Sequence, residues 1–139
     1  MSTGENSVEA RIADSQDVYR VTPVDKGSLV LEILSAQEPG GGFKMTPAIA
    51  GKLGLSPRVL DTAAARITSA VAVDKRLLLD TAVILALLKR DFVGFQWEGI
   101  AAKSEKWLAD RTAEGKPRIE GITLNEWVGK LLERVTAKV

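Results

Sequence analysis

From Lys26 onward, apolar residues recur every three or four positions, the period of a helix with one buried face. Leu29, Val30, Ile33 and Leu34 make the first stripe. Pro39 and Gly40-Gly41-Gly42 end it, because proline has no amide hydrogen and a glycine run is entropically costly to order. Thr46-Pro47 and Ser56-Pro57 each set a capping hydroxyl ahead of a proline, which marks a helix start. Gly54 closes the first of these two helices. The second is expected from Pro57 to about Ala72, with Leu60, Ala64 and Ile67 on its inner side.

Asp74 opens the most apolar helix, which is expected to run to about Asp91. Leu77, Leu78, Val83, Ile84, Leu85, Leu87 and Leu88 cover most of its circumference, and a helix apolar nearly all round belongs at the centre of a bundle. Lys75 and Arg76 at one end and Lys89 and Arg90 at the other mark where it meets water. After a bend at Phe92-Val-Gly-Phe95, the residues Trp97, Ile100, Ala101, Trp107 and Leu108 outline an amphipathic helix whose outer face carries Lys103, Glu105 and Lys106. Arg111 to Gly121, with Gly115 and Pro117, reads as a loop. Thr123-x-x-Glu126 then makes a capping box, and Leu124, Trp127, Val128, Leu131, Leu132 and Val135 follow helical spacing.

Before Lys26 the chain is polar, and Val8, Ile12, Val18, Tyr19 and Val21 are its scattered anchors. Val18 to Thr22 has the residue types of a short strand but no evident partner. The expected architecture is therefore all-α: a compact bundle of about six helices around a central apolar helix, with residues 1–24 as a flexible N-terminal arm and residues 25–139 as the helical domain.

A length of 139 residues suits one ordinary domain. Lys and Arg total 19 against 18 Asp and Glu, a formal net charge of +1, and neither half carries a strong field of one sign. Nucleic acid is accordingly an unexpected partner. The chain has no Cys and no His, which removes disulfides, thiolate nucleophiles and zinc–thiolate sites, together with the commonest neutral-pH acid/base. The expectation is a protein that is not an enzyme and needs no cofactor or metal. Met1 to Gln16 shows no basic, apolar signal pattern. The run from Leu77 to Leu88 is interrupted by Asp80 and Thr81 and falls short of the ~20 apolar residues of a membrane span. A cytoplasmic location and no membrane association are expected.

Several motifs invite a chemical reading. Gly40-Gly41-Gly42-Phe43-Lys44 lacks the strand before it and the Ser or Thr after Lys44 that a phosphate loop requires, so a plain interhelical connection is expected. The carboxylates Asp74, Asp80, Glu126 and Glu133 show no spacing that converges on a cleft and are read as solvated. Ala50 to Leu60, with Gly54 at the turn, has the form of a helix-turn-helix unit, but its second helix offers only Arg58 and Arg66 beside Asp61 and Thr62 to a contact dominated by phosphates. Trp97, Trp107 and Trp127 sit on apolar stripes, and Trp127 is the firmest core expectation. Phe43, Phe92 and Phe95 lie in or beside loops, where a ring either staples the loop to the core or meets a partner.

The order of several motifs resembles a known family. Leu29 to Gln37, Gly-Gly-Phe43-Lys-Met-Thr46-Pro, Ala50-x-x-Leu53-Gly54-Leu55, Asp80 to Leu88, and Trp97-Glu-x-x-Ala101-x-Lys103-x-x-x-Trp107-Leu108 are similar to the helical region that follows the VIT and von Willebrand factor A domains of large intracellular proteins. The resemblance covers about Leu29 to Leu108. It departs from the pattern at Phe43, where the family usually has tryptophan, and these 139 residues include neither a VIT nor a von Willebrand factor A domain. The related region of vault poly(ADP-ribose) polymerase binds the major vault protein. The resemblance thus implies a noncatalytic docking module whose partner is a larger protein or a vault-like particle, or a VIT/von Willebrand factor A domain protein. Phe43, Lys44, Met45, Phe95, Lys103 and Lys106 are the expected partner-binding residues, and a helix-turn-helix nucleic-acid binder is the alternative.

Overall fold

The computed structural model describes residues 23–135. The expected arm lies outside these residues except for Pro23 and Val24, which open the first helix, and so does the strand-like Val18 to Thr22. Six helices are found among the described residues: α1 (Pro23–Ser35), α2 (Pro47–Leu53), α3 (Pro57–Ala65), α4 (Lys75–Asp91), α5 (Glu98–Gly115) and α6 (Leu124–Glu133). They are joined by a small three-stranded sheet, β1 (Ile67–Thr68), β2 (Arg118–Ile119) and β3 (Ile122–Thr123). The chain is mostly helical, but the strictly all-α expectation is corrected by this sheet.

Local chemistry sets most helix starts. Thr46 accepts the Ile49 amide at 3.2 Å, Ser56 the Val59 amide at 3.4 Å, and Asp74 the Leu77 amide at 3.0 Å. Thr123 and Glu126 form the expected reciprocal capping box. Gly54 takes the left-handed conformation (φ 78°) and caps α2, as a residue without Cβ does at low cost.

The sheet replaces two expectations. The third helix stops at Ala65 instead of reaching Ala72, because Ile67 and Thr68 pair antiparallel with Ile119 and Arg118. Both residues are β-branched and gain ladder bonds plus burial of Ile67 in place of one more helical turn. The stretch from Arg111 to Gly121 is not a loop throughout: α5 continues to Gly115, and β2 and β3 form a hairpin across Glu120 and Gly121, both at positive φ (52° and 87°). A two-residue turn with that geometry matches the right-handed twist of the strands.

α4 packs against α3, α5 and α6. It buries ten residues, among them Asp80 and Thr81 within an otherwise apolar series. Gly41 and Gly42 let the connection after α1 lie directly on α4 and α5. A Cβ on Gly41 (φ +121°) would stand 2.9 Å from the Trp107 Cβ and 3.1 Å from the Lys103 carbonyl, and one on Gly42 would meet Leu77 at 2.8 Å. The glycine run is thus a close-packing device between two helices.

Candidate functional site

The six expected contact residues separate into two groups. Phe43 is fully buried and Met45 nearly so, whereas Lys44 between them is exposed. Phe43 pairs with Gln37 in an antiparallel bridge. This places alternate side chains on opposite faces, as an extended backbone requires. The Phe43 amide donates to Thr81 Oγ1 at 2.9 Å and the Met45 amide donates to Asp80 Oδ2 at 3.2 Å. The expectation that Phe43 and Met45 form an exposed anchor is therefore corrected: the hydrogen bonds from α4 draw the loop inward, and the ring seals the core.

The same bonds correct the reading of Asp80 as a solvated carboxylate, since only 2% of its surface is exposed. Arg76 Nε donates to Asp80 Oδ1 at 2.8 Å, and Arg76 also pairs with Asp61 of α3. Burial pushes the Asp80 carboxyl above its usual range, against the hydrogen bonds from Arg76 and Met45 and the Arg76 charge. Asp80, Arg76 and Asp61 border a cavity of about 340 Å³ together with Lys44, Asp74 and Leu77. Both Asp80 oxygens have protein partners and Arg76 bridges Asp80 to Asp61, so the cluster reads as a clamp joining loop, α3 and α4. Among the described residues, no three His, Cys, Asp or Glu side chains gather as a metal site would need.

The second group lies beside the N-terminal part of α1. Phe95 is half-buried, meets the Phe92 ring edge to face at 6.1 Å between centroids, and stands beside Gly27 of α1. The Lys26 ammonium lies 5.3 Å from the Phe92 ring centroid. Gln37, just past α1, donates to the Ile100 carbonyl and to Ser104 Oγ, each at 2.8 Å. α1 and its extension therefore run beside the start of α5, with Phe95 near one end of the track and Ile100 near the other. Leu31 lies one turn after Gly27 on the same face of α1. It is 69% exposed, Val93 76% and Ile100 47%, so three large apolar side chains face solvent on the elements around Phe95, as Val59 and Val71 do elsewhere.

Lys103 is exposed one turn beyond Ile100. Lys106 pairs with Asp110 at 3.1 Å and Lys89 with Glu105 at 3.7 Å, both at the surface.

Leu31 and Ile100 are the residues that the periodicity missed. Ile100 was placed on the apolar stripe of its helix, but the buried stripe runs Trp97, Ala101, Ser104 and leaves Ile100 to one side. Leu31 likewise falls between the buried pairs Leu29–Val30 and Ile33–Leu34.

The tryptophans are placed unequally. Trp97 is buried, and its indole nitrogen donates to the Phe92 carbonyl at 3.0 Å. Trp107 is half-buried, with the Arg111 guanidinium 4.3 Å from its ring centroid. Trp127, expected to be the firmest core member, only packs against the core from its edge.

α2 and α3 do form two helices joined through Gly54, with Ala50 buried at their contact with the core. On α3 and just after it, Arg66 pairs with Glu120 and Asp61 with Arg76. Arg58 is thus the one cation of that face without an ion pair among the described residues.

Comparison of the chain with protein families, with curated proteins and with solved structures finds no match in any of the three. Among the described residues, no helix is long and apolar enough to cross a membrane.

Proposed function

We propose that the chain is a noncatalytic protein-interaction module, with α4 as its central strut and the edge formed by Leu31, Val93, Phe95 and Ile100 as its docking surface. The observation that carries this reading is the exposure of Leu31, Val93 and Ile100 on the elements around Phe95, the first two of them the most exposed large apolar side chains among the described residues, ahead of Val59 and Val71 elsewhere. The resemblance to the helical region of VIT/von Willebrand factor A domain proteins supports the same class of function, with a cytoplasmic setting and a larger protein or vault-like particle as partner. Of the residues first expected to bind, Phe95 and Lys103 belong to this surface, while Lys44 and Lys106 lie outside its apolar part.

The experiment is to replace both Leu31 and Ile100 by Ser. The doubly substituted protein should keep its helical spectrum and its denaturation midpoint while losing the partner that the unmodified protein retains on purification from its source cell. Apolar anchors of this kind contribute about 2 kcal/mol or more to an interface. Full retention of that partner would remove the surface from consideration.

The nucleic-acid alternative keeps one supporting feature, the α2–turn–α3 geometry. Its test is selection of duplex sequences from a random pool. A defined sequence whose binding falls steeply with salt and is lost in Arg58→Ala and Arg66→Ala would favour it, since each phosphate contact releases counterions.

A further inference from the structure

We draw no further inference here: the strongest candidate, the groove between α5 and α6 on the face of α4 lined by Ala86, Leu108, Ala109, Val128 and Gly129, carries nothing because nothing in the structure shows what covers it.

Discussion

Thr81 Oγ1 accepts the Phe43 amide at 2.9 Å and donates to the Leu77 carbonyl at 2.7 Å, so one hydroxyl inside an apolar helix holds the loop that buries an aromatic ring. Thr81→Val keeps the shape and removes the acceptor. The Phe43 amide is then buried without a partner, which costs about 1–3 kcal/mol. Urea denaturation measures the loss, and an unchanged midpoint would show that the amide finds another acceptor.

Asp80 has a distinct pH signature. Burial raises its folded carboxyl pKa above the usual aspartate value. The folded state therefore holds the proton more tightly than the unfolded state. Its contribution is fully present below the unfolded pKa and is lost as pH rises through the folded pKa. Asp80→Asn cannot titrate. The stability of the unmodified protein relative to Asp80→Asn should fall as pH rises from about 4 through the weakly acidic range and then level off. Parallel denaturation series for the two proteins check this. A difference that rises with pH instead would mean that the Arg76 pairing outweighs burial.

The glycine run makes a paired prediction. Gly41→Ala puts a methyl against Trp107 and Lys103 at a φ of +121°, and strained backbone of that kind costs about 1–3 kcal/mol before any clash is counted. Gly40 has nothing within 4 Å of its would-be Cβ, so Gly40→Ala should change stability by no more than about 0.5 kcal/mol. Thermal melts of the two variants separate close packing from loop flexibility as the reason for the glycines, and equal melting points would refute the packing account.

Tryptophan burial orders two substitutions. Trp97→Ala should cost about 3–5 kcal/mol, since it leaves a large core cavity and removes the indole bond to Phe92. Trp127→Ala should cost about 1–2 kcal/mol, in proportion to its partial burial. Denaturant midpoints in the reverse order would place Trp127 in the core.

Helix starts were legible because their chemistry is local. Thr46, Ser56, Asp74 and Thr123 each bond an amide three residues away, and such a bond is visible in any window of four residues. The strand at Ile67 was hidden because its partner Ile119 is 52 residues distant. No local pattern announces a two-residue strand, and Gly115 and Pro117 read only as breakers. The candidate surface was half legible. Phe95 stood out as an aromatic beside a glycine turn, whereas Ile100 fell on the apolar stripe of its helix and Leu31 fell on none until the facing helices showed which side was covered.

What the chain determined by itself is the set of helices, because spacing, caps and breakers act over a few residues and carry their own free energy. Tertiary structure decided where the ambiguous side chains went. Phe43 has the same neighbours in sequence whether exposed or buried; its inward turn follows from Thr81 and Asp80, which lie 38 and 37 positions along the chain and whose own burial requires hydrogen-bonded partners. The exposure of Leu31 follows in the same way from the path of α5 beside α1. Burial is a property of two surfaces in contact, and one strip of sequence contains only one of them.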